Sequence, residues 1–112
     1  MEWKTNRMPL FIKTESFTRD TYSLSFSERK IHIEAHKQWV KNLILAGEKV
    51  ASGYLVDESN TPGGGGILIL KANTLEDARK IIETDPLIVA GLVEWNLQEW
   101  LQIHESPLIK YH

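Results

Sequence analysis

The sequence contains no cysteine, which excludes a disulfide framework, thiol catalysis and thiolate metal sites. It also contains no run of the roughly 20 apolar residues that a membrane-spanning helix needs. Neither charge is in large excess, because 13 Lys and Arg stand against 15 Asp and Glu, for a formal net charge of −2. A chain without a basic patch is not expected to bind nucleic acid or an anionic membrane surface. These features predict a cytoplasmic protein that has neither nucleic acid nor membrane among its partners.

The apolar content of the sequence indicates one globular domain. Hydrophobic residues make up 42% of the 112 residues, and the chain contains four Trp. A chain of this length fits a single domain, since most domains span roughly 100–150 residues. We expect residues 1–9 to form an N-terminal tail, residues 10–103 to form the domain and residues 104–112 to form a C-terminal tail.

Periodicity predicts the element order β-α-β-β-α-β. The predicted strands are rich in strand-forming or alternating residues and lie at 10–17, 50–56, 66–71 and 93–98. One helix is predicted at about 28–46 with Ser25 or Ser27 as its N-cap, and a second begins after Thr74 and ends near Asp85. This order is typical of an α+β, ferredoxin-like fold, in which a four-stranded antiparallel sheet carries both helices on one face.

The sequence of the predicted strand at 66–71 indicates that both faces of the sheet are packed against other parts of the protein or against a partner. Residues 67–70 read Ile-Leu-Ile-Leu, so apolar side chains point to both faces of the sheet. Helices cover only one of these faces, and an exposed apolar patch on the other is most simply buried by a second copy of the chain. The sequence therefore predicts a homodimer.

A run of four glycines follows Pro62 and invites comparison with a phosphate-binding loop. Such a loop needs Gly-Lys followed by Ser or Thr at the start of a helix, whereas these glycines lead into a predicted strand. We therefore predict a flexible hairpin connection over 57–65.

Two histidines on the first predicted helix have the spacing of paired metal ligands. His32 and His36 are four residues apart and lie within the apolar stripe of the helix. The Glu that follows the first His in zinc proteases is absent, because Ile33 occupies that position. We predict no metal and no cofactor, and we expect one of the two histidines to be structural.

Asp85 is the candidate partner for a histidine. The predicted helix ends there, where the helix dipole disfavours an anion, and Pro86 follows at a chain reversal. A carboxylate beside an imidazole fixes its tautomer and makes it a better general base. Asp-Pro also begins ordinary turns, so the residues alone leave both interpretations open.

An ordered set of motifs resembles the YciI-like (YCII-related) family. The motifs of the first half are His36-x-x-Trp39-x-x-x-Leu43-x-x-x-Gly47, Ser52-Gly53-x-Leu55-x-Asp57-Glu58, and the glycine run with Ile67-Leu68-Ile69-Leu70. Those of the second half are Leu75-Glu76-Asp77-Ala78-Arg79 and Thr84-Asp85-Pro86-Leu87-x-x-x-Gly91-Leu92. The resemblance covers about 10–100. It implies a fold of the dimeric α/β-barrel type, with a site around a His-Asp pair in a cleft beside the sheet.

The matching positions of that pair are His36 and Asp85, which we expect to act as general acid or base and as its orienting partner. We expect the pocket around a small-molecule ligand to be lined by His32, Ser52, Gly53 and Tyr54. One kind of family member is similar in role to a dehydrochlorinase of chlorinated hydroxyquinols, which implies a lyase-type reaction on a small ring compound. The alternative is a non-catalytic module that binds a metabolite or a protein. Some relatives carry Arg where this chain has Ile33, so the site is not expected to bind an anionic substrate in that way.

Overall fold

The computed structural model describes residues 8–105 and contains four strands and four helices in that part of the chain. In chain order these are β1 (Leu10–Phe17), α1 (Arg19–Tyr22), α2 (Phe26–Leu45), β2 (Val50–Val56), β3 (Pro62–Lys71), α3 (Leu75–Ile82), α4 (Pro86–Val89) and β4 (Val93–Trp100). The predicted order of strands and long helices is confirmed, and two one-turn helices, α1 and α4, are added to it. The predicted tails lie mostly outside the described residues.

The four strands form one antiparallel sheet in the order β2-β3-β1-β4. β1 and β3 are therefore central, whereas β2 and β4 are the two edges. This topology is that of the ferredoxin-like α+β fold, as predicted from the sequence.

One face of the sheet packs against the helices and holds the core. Residues directly opposite each other in a strand pair share a face, so Phe11 lies beside Leu70 and Lys13 lies between Leu68 and Leu97. The fully buried members of this core are Phe11, Leu68, Leu70, Ala72, Ala78, Ile82 and Leu97. Lys13 is the charged residue of the described strands that lies buried among them.

Both long helices begin at side-chain caps that the sequence predicts. Ser25 and Glu28 form a reciprocal capping box at the start of α2, and the hydroxyl of Thr74 accepts a hydrogen bond from the Asp77 amide at the start of α3. The apolar stripe expected for α2 is only partly buried. Trp39 packs against the core, but Ile31 is 70% exposed.

Several boundaries shift by a few residues, and two of these differences change how the sequence is interpreted. The glycines after Pro62 belong to β3, and the connection to β2 is a short turn in which the Asp57 side chain accepts hydrogen bonds from the amides of Ser59 and Thr61. Gly64 has φ +84°, and a Cβ there would collide with the hydroxyl of Tyr22. Glycine is thus required by close packing and backbone conformation rather than by loop flexibility.

The second difference concerns the end of α3. This helix ends at Ile82, and Asp85 is the N-cap of the separate helix α4 instead of the last residue of α3. The expectation that Asp85 lies unfavourably in the dipole of a helix C-terminus is therefore wrong. Its carboxylate lies at a helix start, where an anion is favourable.

The other face of the sheet, which we call the open face, has no helix against it among residues 8–105. Its apolar side chains come from all four strands and are Leu10, Ile12, Ala51, Leu55, Ile67, Ile69 and Trp100. None of them is fully buried, and Leu55 is 54% exposed. Separately, no helix in the described part of the chain has the length and apolarity that crossing a membrane requires.

Candidate active site

Asp85 is held rigidly at the centre of the candidate site. Pro86 occupies the first position of α4, and Asp85 Oδ1 accepts a hydrogen bond of 2.9 Å from the Leu87 amide. Its side chain is 0% exposed. The Asp-Pro turn therefore fixes the carboxylate in one orientation beneath α2.

His36 reaches Asp85 from α2. The distance between His36 Nδ1 and Asp85 Oδ1 is 2.9 Å. Because an ionised carboxylate can only accept, Nδ1 donates this hydrogen bond, and a neutral ring then carries its lone pair on Nε2. The His36 side chain is 18% exposed, so the ring is sheltered but reachable from solvent.

A lysine that sequence reasoning missed completes the environment of Asp85. Lys13 on β1 donates from Nζ to Asp85 Oδ2 over 3.0 Å, and it also forms an ion pair with Glu15 on the same strand. The Lys13 side chain is 1% exposed. A chain of contacts thus runs Glu15–Lys13–Asp85–His36, and we call these four residues the ionic chain.

The electrostatics of the ionic chain keep Asp85 ionised. Burial raises the pKa of Asp85, but the hydrogen bond from His36, the positive charge of Lys13 and the Leu87 amide lower it more, so the net pKa lies below the usual value for an aspartate. At neutral pH the group facing His36 is therefore a carboxylate.

A ring contact and a hydrogen bond fix α2 beside Asp85. The His36 and Trp39 rings lie 5.7 Å apart between centroids, with their planes tilted by 34°. Trp39 Nε1 donates to the Thr84 hydroxyl over 2.9 Å, and that hydroxyl donates to the Ile81 carbonyl. Trp39 therefore links the helix that carries His36 to the segment that ends in Asp85.

The residues predicted to line a pocket are divided between the two faces of the sheet. Ser52 and Tyr54 pair with Leu68 and Gly66, so they lie on the face of the ionic chain, whereas Gly53 pairs with Ile67 on the open face. His32 lies one helical turn before His36 and is partly exposed. The pocket roles of these four residues stay predictions.

The arrangement can carry out proton transfer. A histidine whose Nδ1 is engaged by a carboxylate presents one basic nitrogen, and the carboxylate stabilises the positive charge that the ring gains on taking up a proton. The part of the chain that the structure describes holds no group of three or more His, Asp or Glu side chains able to bind a metal ion.

Comparisons with known proteins agree with this architecture. The family model of the YCII-related domain matches residues 13–100. Among solved structures, the chain is similar to 5-chloro-2-hydroxyhydroquinone dehydrochlorinase (TftG) from Burkholderia phenoliruptrix AC1100 in complex with 2,5-dihydroxybenzoquinone. The TM-score is 0.61 at 20% sequence identity, over 82% of this chain and 93% of that one, which is a likeness of fold. No curated protein matches this chain.

Proposed function

The chain belongs to the YCII-related domain family, and we propose that it is a cytoplasmic small-molecule enzyme in which His36 is the general acid or base and Asp85 orients it. The observation that carries this proposal is the 2.9 Å contact between His36 Nδ1 and Asp85 Oδ1, which leaves Nε2 for a substrate. Positioned proton transfer of this kind contributes roughly 10²–10⁴-fold to a rate.

The proposed reaction begins with removal of a proton from a hydroxyl or an acidic carbon of the substrate. His36 Nε2 takes up the proton, Asp85 stabilises the imidazolium, and the same proton is then available to a leaving group or to another atom of the product. A lyase-type elimination, such as loss of hydrogen chloride, needs no more than this. The substrate class we propose is a small hydroxylated ring compound. This choice is supported by TftG, which has a similar fold and whose structure is a complex with 2,5-dihydroxybenzoquinone.

The first experiment is a screen of the wild-type protein against chlorinated and unchlorinated hydroxyquinols. Conversion is monitored by ultraviolet absorbance and by the release of chloride. With a substrate in hand, His36→Gln should lower kcat/KM by about 10²-fold or more. Asp85→Asn should lower it by a smaller factor, because the base is retained but its orientation and charge stabilisation are weakened. The matched control is His104→Gln, which makes the same substitution at an exposed histidine and should leave kcat/KM within about twofold.

Two outcomes would contradict the proposal. Full activity of His36→Gln would exclude the histidine as the acid or base. Binding of these compounds with no conversion, measured by calorimetry beside the absorbance assay, would instead identify a non-catalytic binding module. Circular dichroism of each variant would separate a loss of fold from a loss of chemistry.

We also propose that the functional unit is a homodimer formed through the open face. The open face carries apolar side chains from all four strands, including Ile67 and Ile69 at its centre and Leu55 toward one edge. A contiguous apolar patch on a folded protein favours association, and a two-fold pairing of identical faces closes without further growth.

Gel filtration with light scattering at micromolar concentration tests this pairing. The wild type should have the mass of a dimer, and Ile67→Lys should have the mass of a monomer because it places a charge on the open face. Ile31→Lys is the control, since Ile31 is an exposed isoleucine on α2 and the variant should stay dimeric. A wild-type protein that is monomeric at this concentration would remove the proposal.

A further inference from the structure

Strand β1 carries two charged residues on the face that packs against the helices. Phe11, Lys13, Glu15 and Phe17 alternate along this face, and the Lys13 and Glu15 side chains are 1% and 10% exposed. Withdrawing an ion from water costs several kcal/mol, and apolar residues in place of a buried ion pair are often neutral or stabilising. Stability alone therefore does not account for a lysine in the core, which directs attention to what Lys13 contacts.

Lys13 controls the orientation of the Asp85 carboxylate. Oδ1 is occupied by His36 Nδ1 and the Leu87 amide, whereas Oδ2 is occupied by Lys13 Nζ. With both oxygens engaged, the carboxylate cannot rotate away from the histidine. Without Lys13, Oδ2 would lose its charged partner.

Glu15 lies beside a glycine of the neighbouring strand β3. Gly66 is directly opposite Glu15 in the sheet, and a Cβ at Gly66 would lie 3.6 Å from Glu15 Cγ and 3.8 Å from its Oε2. The same Cβ would lie 3.1 Å from the Gly53 carbonyl oxygen, which is closer than side chains ordinarily come. The close approach of β2 therefore favours glycine at position 66, whereas the contact with Glu15 would tolerate a Cβ.

The charges of the ionic chain depend on His36. Glu15 and Asp85 contribute two negative charges and Lys13 contributes one positive charge, so the net charge is −1 when His36 is neutral and zero when it is protonated. Near His36, α2 also carries His32 and the exposed ion pair of Glu34 with Lys37, and β2 carries Tyr54 on the same face of the sheet. The ionised groups of α4 and β1 that lie nearest the ring are thus those of the ionic chain.

We propose that Lys13 and Glu15 belong to the site, Lys13 as the positioning residue that holds Asp85 against His36, and Glu15 as the group that sets the net charge met by a proton on His36. This inference rests on the proposed role of His36 as a base. It assigns to β1 a function in the reaction, in addition to its place in the sheet.

The effect of the Glu15 charge is tested by a nuclear magnetic resonance titration of the His36 ring. The ring signals of His36 are identified by their absence from the spectrum of His36→Gln. Glu15→Gln removes one negative charge, which makes protonation of His36 less favourable and should lower its titration midpoint by about half a pH unit. The control Glu76→Gln removes the same charge from an exposed position on α3 and should leave the midpoint within about 0.1 unit. An unchanged midpoint in Glu15→Gln would overturn the role given to Glu15.

The positioning by Lys13 is tested in the double variant Lys13→Met with Glu15→Gln. This variant keeps the net charge of the ionic chain at −1 when His36 is neutral. Ring ¹⁵N shifts should show a single tautomer with Nδ1 protonated in the wild type and a mixture of tautomers in the double variant. A single tautomer in both proteins would overturn the role of Lys13.

A second measurement needs no substitution and decides the case even if the double variant does not fold. In the wild-type protein the ¹⁵Nζ resonance of Lys13 should follow the titration curve of His36, whereas that of Lys80, an exposed lysine on α3, should not. A Lys13 signal that is constant through the His36 titration would contradict the inference. These readouts do not depend on turnover, so they can fail while the proposed role of His36 stands, and the reverse also holds.

Discussion

The two long helices lie on the same side of the sheet but are attached to it in different ways. The eight-residue helix α3 has Ala78 and Ile82 fully buried in the core. The 20-residue helix α2 lies wholly within the described residues, and none of its residues is fully buried. It exposes Phe26, Ile31 and Leu45. Its polar attachments at the site are His36 to Asp85 and Trp39 to Thr84, and Arg29 donates to the Tyr22 carbonyl near its start. Thus α3 is held by fully buried side chains, whereas α2 combines the partial packing of Trp39 and Val40 on the core with a few directional contacts at the site.

The largest effect on stability is expected from Asp85→Asn, which breaks the attachment of α2 and leaves Lys13 buried with one charged partner fewer. Removing one partner of a buried ion pair typically costs about 3–5 kcal/mol of unfolding free energy. Because the pKa of Asp85 is lowered in the folded protein, its contribution is fully present above the unfolded pKa and is lost as the pH falls through the folded pKa.

Urea unfolding of the wild type and of Asp85→Asn at pH 7 and at pH 2 checks this prediction. The difference in unfolding free energy between the two proteins should be wide at pH 7 and smaller at pH 2. Asp77→Asn, at an exposed position in the first turn of α3, serves as the control and should show a small gap. A gap of equal size at both pH values would mean that the Asp85 charge does not stabilise the fold.

A smaller but clear difference is expected between matched isoleucines on the two helices. Ile82→Ala on α3 removes a side chain that is 0% exposed and should lower the unfolding free energy by about 2–5 kcal/mol. Ile31→Ala on α2 removes a side chain that is 70% exposed and should change it by less than about 0.5 kcal/mol. Equal losses of unfolding free energy in the two variants, measured by urea unfolding, would show that the two helices do not differ in how they are attached to the sheet.

The smallest effect is expected from Trp39→Phe, which retains an aromatic ring but deletes the hydrogen bond from Nε1 to Thr84. The loss of one exposed hydrogen bond should cost about 0.5–1.5 kcal/mol. Thr84→Val removes the acceptor together with its own hydrogen bond to the Ile81 carbonyl and should cost somewhat more, and the double variant should cost less than the sum of the two single losses. Additive losses would indicate that the two side chains do not act as one contact.

The order of elements and the caps of both long helices were predictable because they follow from local patterns. The first strand is correct at both ends, and Thr74 caps α3 as its sequence predicts. The pairing of His36 with Asp85 was suggested by the family resemblance. Its physical cause lies in the one-turn helix α4, whose four residues are too few to show a periodic pattern.

Lys13 and Glu15 were missed although β1 held a signal for them. They alternate with Phe11 and Phe17, so a strand there puts two charges and two aromatic rings on the same face. A charged residue in phase with the core side of a central strand indicates a buried ion pair, but its partner, 72 residues away, is not visible in a local pattern. The glycine run was misinterpreted for a related reason, because the groups that come closest to it are the Tyr22 side chain and the Gly53 carbonyl, which lie elsewhere in the sequence.

The separations along the chain also bear on how the molecule folds. Lys13 and Asp85 are 72 residues apart and His36 and Asp85 are 49 apart, so the ionic chain closes two long loops, as the pairing of β1 with β4 also does. Contacts of such separation form only after most loop entropy has been lost. We therefore expect the site to be assembled late, and a fragment without the first strand to lack it even where α2 is helical. The His36 resonance would then report complete folding of the domain as well as its chemistry.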